Sequence, residues 1–201
     1  MGLSSRRRAS YDETIRMWNL NTGEEIDASR ADGRRWTGAV GATTLHGRPV
    51  ALTLAHDGGL RVLDLTTDPP TTTSPADQHA ESVHDLAVTT IGDRPAAVIA
   101  SRNSSDPVTI WDLSTGNALG DLPSKATGAV AAATVDGQPI AATTSHQTVR
   151  VWKLTTRRQV GSDLHFPKPV RGVAISADGH VIVCFDRDIA VFVNTPAPPE
   201  P

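Results

Sequence analysis

Short runs in which apolar and polar residues alternate, parted by clusters of Gly, Pro, Asp, Asn and Thr, fill the chain from about Tyr11 to Val193. A period of two sends successive side chains to opposite faces of a strand and does not suit an amphipathic helix. Five runs share one pattern and end in a bulky residue. They read Asp12-Glu-Thr-Ile-Arg-Met-Trp18-Asn-Leu20, Asp57-Gly-Gly-Leu-Arg-Val-Leu63-Asp-Leu65, Ser105-Asp106-Pro-Val-Thr-Ile-Trp111-Asp-Leu113, His146-Gln-Thr-Val-Arg-Val-Trp152-Lys-Leu154 and Asp186-Arg-Asp-Ile-Ala-Val-Phe192. Trp18, Leu63, Trp111, Trp152 and Phe192 thus recur at intervals of about 40 to 48 residues, the length of a four-stranded propeller blade and too long for ankyrin or TPR units.

A hairpin precedes each of the last four runs. Ala39–Thr44 leads through His46-Gly-Arg-Pro49 to Val50–Leu54, Leu86–Thr89 through Gly92-Asp-Arg-Pro95 to Ala96–Ile99, and Val130–Thr134 through Asp136-Gly-Gln-Pro139 to Ile140–Thr143. The last unit turns at Ser176-Ala-Asp178-Gly179. Glycine accepts the positive φ of a tight turn, and proline at the start of the next strand removes the N–H that matters least. A polar corner such as Asn21-Thr-Gly23 or Ser114-Thr-Gly116 then leads into a fourth strand, so a full unit holds four strands and helix content is expected near zero.

This periodicity divides the chain into an unstructured remnant (1–10), a partial unit with the last two strands (11–35), three full units (36–75, 76–122 and 123–164), a final unit without its last strand (165–193) and a Pro-rich tail (194–201). In the tail, Pro196, Pro198, Pro199 and Pro201 carry no N–H and cannot ladder. A strand near Glu24–Asp27 could complete the final unit, but the strand ending at Trp18 would then be surplus.

Composition narrows the function. With a formal charge of −3, the chain lacks the basic excess of a nucleic-acid binder. Every apolar run is broken well short of a membrane span. Arg6-Arg7-Arg8 is followed by polar Ser10–Glu13 where a secretory peptide would be apolar, so a soluble cytoplasmic protein is expected. The single cysteine, Cys184, excludes an intrachain disulfide and reads as a buried small hydrophobe within His180–Phe185.

The repeated runs resemble the WD-repeat family over nearly the whole chain, in the manner of the carboxy-terminal part of a bacterial, actinobacterial-like propeller. The terminal dipeptide stands as Trp111-Asp112, and in weakened form as Trp18-Asn19, Leu63-Asp64 and Trp152-Lys153. The aspartate ahead of it stands as Asp12, Asp57, Asp106 and Asp186, and the best Gly-His equivalent is Gln78-His79. The resemblance implies an all-β, WD-type β-propeller. It is incomplete, with about four blades and a partial amino-terminal one, and forms an open arc rather than a closed ring. Trp18, Trp111 and Trp152 would pack between blades, and His79 and the aspartates would serve the turns.

No catalytic, metal or cofactor constellation emerges. Ser82, His84 and Asp85 are too close along one strand to converge as a triad. The seven histidines lack metal-ligand spacing. The expectation is a scaffold without catalytic activity that holds a protein or peptide partner. A sensory segment of a larger signalling ATPase or protease, a non-functional remnant and, last, a propeller hydrolase are the alternatives. Candidate partner-binding residues are Arg35 and Trp36, read as an arginine–aromatic pair in a connection, with Arg102, Lys125, Lys168 and Arg171 near other connections. Blade flanks left raw at the ends of an arc would favour self-association or the binding of missing blades.

Overall fold

A computed structural model describes residues 14–30, 36–55, 60–67, 71–73, 83–101, 106–126 and 128–194. Every regular element among them is a strand, and none is a helix. The expectation of an all-β chain therefore holds, and no described helix is long and apolar enough to cross a membrane.

β1 (Thr14–Trp18) and β2 (Glu25–Arg30) form a two-stranded sheet. The first full sheet contains β3 (Trp36–Leu45), β4 (Arg48–Ala55), β5 (Leu60–Asp64) and β6 (Thr71–Thr73). The second contains β7 (Val83–Ile91), β8 (Arg94–Ser101), β9 (Val108–Asp112) and β10 (Asn117–Leu122). The third contains β11 (Val130–Val135), β12 (Gln138–Ser145), β13 (Thr148–Lys153) and β14 (Arg158–His165). The final sheet has three strands, β15 (Val170–Ile175), β16 (Val181–Phe185) and β17 (Asp188–Phe192). Each is an antiparallel meander whose spatial order follows the chain.

The sheets stack face to face through their first strands. β3 lies beside β7, β7 beside β11, and β11 and β12 beside β15. Small residues make this approach possible. At Gly41 in β3 an added Cβ would stand 2.5 Å from Val88 Cγ2 and 2.8 Å from Leu86 Cδ1, and β11 carries three consecutive alanines, Ala131 to Ala133. Three apolar cores fill the gaps. Leu52, Leu60 and Val62 meet Leu86 in the first, Val98, Val108 and Ile110 meet Val130 and Trp152 in the second, and Ala142 and Val149 meet Val181 and Val183 in the third. The inner sheets are thus buried on both faces, which explains why Ala96–Ala100 is apolar without alternation.

Local chemistry fixes the turns. His46 and Gly47 (φ 50° and 77°), like Asp136 and Gly137 (48° and 73°), are both left-handed, as a two-residue hairpin requires to match strand twist. At the next corner the residue after the signature position acts as a cap in the first three units. Asn21 N–H donates to Asn19 Oδ1 (2.9 Å), Thr66 N–H to Asp64 Oδ1 (2.8 Å) and Ser114 N–H to Asp112 Oδ1 (2.8 Å). Arg48 pairs with Asp64 at 3.1 Å and Arg94 with Asp112 at 3.5 Å, while the third full sheet has Gln138 and Lys153 at these places.

The signature positions differ in burial. Leu63 and Trp152 are buried, Trp111 is partly buried, and Phe192 is exposed on the edge strand while its ring stays edge-on to Phe166 at 5.9 Å. Trp18 departs from the expected packing between blades: it is half exposed, and among the described residues β1 pairs with β2 alone. Cys184 is likewise exposed rather than buried, since the face of β16 opposite Val183 meets no further sheet among the described residues. β2 pairs with β1 and does not complete the final sheet. Asp106 accepts a hydrogen bond from Ser101 Oγ (2.8 Å), and Asp186 occupies a left-handed turn (φ 49°). Asp12, Asp57 and His79 lie outside the described residues.

Candidate functional site

In a four-stranded meander, the connection between the second and third strands and the link to the next sheet emerge at the same end. Lys125 and Lys168 both lie in links to a following sheet, so the topology brings them to that shared end.

Each lysine sits on a backbone fixed by nearby hydrogen bonds. Lys125 sits between Ser124 and Ala126, both buried, and the Ser124 carbonyl accepts Val108 N–H at 3.1 Å. Ser124 Oγ also lies 3.3 Å from Thr143 Oγ1, which accepts Trp152 Nε1–H at 2.9 Å. A signature tryptophan, a second-strand threonine and the link are thereby joined. Lys168 stands between Pro167 and Pro169. Buried Phe166 stacks obliquely on Phe185 at 4.9 Å and donates its N–H to Gln147 O (2.8 Å), and Val170 N–H donates to His146 O (2.7 Å). The lysine side chains are exposed while their backbone is tethered on both sides.

Arg171 enters the same end by a different device. The ladder between β15 and β16 shifts between Val170 and Gly172, leaving Arg171 as an extra, exposed residue. β7 has the equivalent bulge between Val83 and Asp85, which extrudes His84. Sequence reasoning passed over His84 as a rim residue, and no periodic signal marks a bulge. The neighbouring Asp85 is committed to structure. Its Oδ1 accepts Leu86 N–H (2.9 Å) and its Oδ2 accepts Val130 N–H (3.0 Å), so it ties β7 to the first strand of the next sheet.

Trp36 is the first residue of β3, paired with Ala55, and not part of a connection as expected, because the ladder extends past a register shift to reach it. Arg35 and Arg102 lie outside the described residues. Lys125, Lys168 and Arg171, with His84, therefore share one rim of the described sheets, which also carries Asp106 and Asp186 in connections between second and third strands. Among the described residues no group of three or more His, Cys, Asp or Glu side chains is arranged to hold a metal ion.

Compared with known protein families, the sequence finds no match, and compared with curated proteins it finds none.

Proposed function

We propose that the chain is a run of WD-type propeller blades, open rather than closed into a ring, that holds a protein or peptide partner at the end carrying Lys125, Lys168 and Arg171. The propeller part rests on three successive four-stranded meanders and a three-stranded one, packed through their first strands. Sheets that are close at one strand and spread at the other are what a fan about an axis requires. The step from fold to role is one of analogy, because a fold hosts many functions and the site must argue for one.

The observation that carries the role is the seating of exposed cations on tethered backbone, with buried Ser124 and Ala126 on either side of Lys125 and buried Phe166 two residues before Lys168. A contact residue on a backbone already fixed loses less entropy on binding. Its charge favours a partner that offers carboxylates. An array of acidic and neutral peptides probed with the purified chain tests this reading. The K125E/K168E/R171E variant is expected to lose at least about tenfold in affinity for the acidic peptides it selects, mostly through slower association. A K153E control, at the opposite end of the third full sheet, is expected to bind as the unaltered chain does. Equal binding by both variants defeats the reading, as would capture of neutral peptides alone.

A further inference from the structure

We infer that the outer face of the final sheet binds the amino-terminal end of a second copy of this chain, head to tail. This rests on the repeat packing and not on the rim that carries Lys125, Lys168 and Arg171.

Strand register makes positions in different sheets equivalent. Ala51 pairs with Leu63, Ala97 with Trp111, Ala141 with Trp152 and Val181 with Phe192. Counted from these pairs, Leu60, Val108, Val149 and Ile189 share one place in the repeat, and so do Val62, Ile110, Val151 and Val191. In the three full sheets these residues pack into the core shared with the next sheet, and Leu60, Val108 and Val149 are at most 1% exposed. In the final sheet the same places remain apolar, yet Ile189 is 68% and Val191 54% exposed. Ile182 and Cys184, cross-strand partners of Val191 and Ile189, lie on that face too. It has the side chains of a face made for a following sheet, and the described residues supply none.

The complementary half occurs at the other end of the chain. On first strands, Leu86 and Val88 of β7 pack toward the preceding sheet, as Gly41's closeness to both records. Val130 and Ala132 of β11 pack likewise, and Val173 and Ile175 of β15 occupy the same places. The equivalents in β3 are Val40 and Ala42, of which Ala42 is exposed and Val40 half-buried. Beside them in sequence, the β1–β2 hairpin exposes Trp18 and Leu20. Apart from Val160, the exposed large apolar side chains of the described residues lie at these two ends: Trp18 and Leu20 at one, Ile189, Val191, Phe192 and Val193 at the other. A sheet of this chain is the one surface whose register and residue sizes already fit such a face three times over. Unlike ends meeting give a heterologous contact, which closes into a ring or continues as a filament.

Light scattering over a concentration series, with the rate of Cys184 alkylation read in parallel, tests the inference. Cys184 is the sole cysteine and lies on the face in question, so its rate reports that face alone. Dimers or larger assemblies are expected, with alkylation slowing as they form. I189D/V191D at the tail and L20D/A42R at the head should each leave a monomer. All four positions are exposed, and unchanged far-ultraviolet circular dichroism with an unchanged melting midpoint at low concentration verifies folding. An equimolar mixture of the two variants retains one intact head and one intact tail and should recover a heterodimer. A monomer at every concentration with constant Cys184 reactivity overturns the inference. Persistence of assembly in L20D/A42R would show a tail-to-tail contact, and persistence in I189D/V191D a different surface, and either overturns it as well. K125E/K168E/R171E is expected to leave the mass unchanged, which separates failure here from failure of the rim.

Discussion

Thr53 and Thr143 occupy the same register place on second strands, opposite Arg61 and Arg150, yet their hydroxyls have different fates. Thr143 Oγ1 accepts the buried indole N–H of Trp152 and meets Ser124 Oγ, whereas Thr53 Oγ1 is buried with no hydrogen-bond partner among the described residues. The cause lies at the third strand, where the first full sheet has Leu63 in the tryptophan's position. Since an unpaired buried polar group costs about 1–3 kcal/mol, valine should act with opposite sign at the two sites. Thr143→Val is expected to destabilise by roughly that amount, and Thr53→Val to stabilise by up to about 1 kcal/mol, both read from urea midpoints. Acidification reports on another residue pair. Thr66's hydroxyl and N–H, followed by Arg48, hold Asp64 below its ordinary value, and Arg150 and then Gln159 hold Asp163 below its own. A depressed folded-state value means that the stability contribution is complete above about pH 4 and disappears as the pH falls through the folded-state values. Asp64→Asn and Asp163→Asn should each flatten the acid limb of a stability–pH curve and leave its slope above that limb unaltered.

At the level of strands, the approach of β3 to β7 depends on the missing side chain at Gly41. Gly41→Ala forces Val88 or the strand itself to move, with an expected loss of about 1–3 kcal/mol, and Val88→Ala should restore part of it. A double-mutant cycle without coupling between the two would contradict the close packing. The strands themselves were legible in the sequence, because two-residue alternation and turn phrases such as His46-Gly47 and Asp136-Gly137 act locally. The capping role of Asp64 and Asp112 was not read, because the turns were expected to be served by Asp12, Asp57, Asp106 and Asp186 ahead of the signature strands. Legibility failed where the outcome depends on a neighbouring sheet. Val181–Phe185 is apolar on both faces and reads as buried on both, so only the stacking order reveals that Cys184 has no cover. Trp18 carries the same pattern as Trp152, and nothing in that pattern tells that its described sheet has two strands where that of Trp152 has four. Bulges hid the rest of the rim: nothing in Val83-His84-Asp85 or Val170-Arg171-Gly172 indicates that the middle residue is squeezed out of the ladder.

For the molecule as a whole, each sheet leans on its chain neighbours, and no extensive contact joins β3 to β15 among the described residues. Stability in such a row is a sum of sheet terms and nearest-neighbour interfaces, so a sheet held on one side should open more readily than one held on two. The second and third full sheets have a core on either side, and the ties across their boundary include Asp85 to Val130 (3.0 Å), Thr89 to Thr134 (3.2 Å) and Arg157 Nη1 to Leu119 O (2.5 Å). The final sheet has one core, and among the described residues β17 is its unpaired edge. Amide hydrogen exchange at a concentration that keeps the chain monomeric should therefore be slowest in β8, β9, β12 and β13 and much faster in β16 and β17. Raising the concentration should slow β16 and β17 selectively if a second copy covers them. Uniform protection across all the sheets would mean that the row unfolds as one cooperative unit, and the nearest-neighbour description would then be wrong.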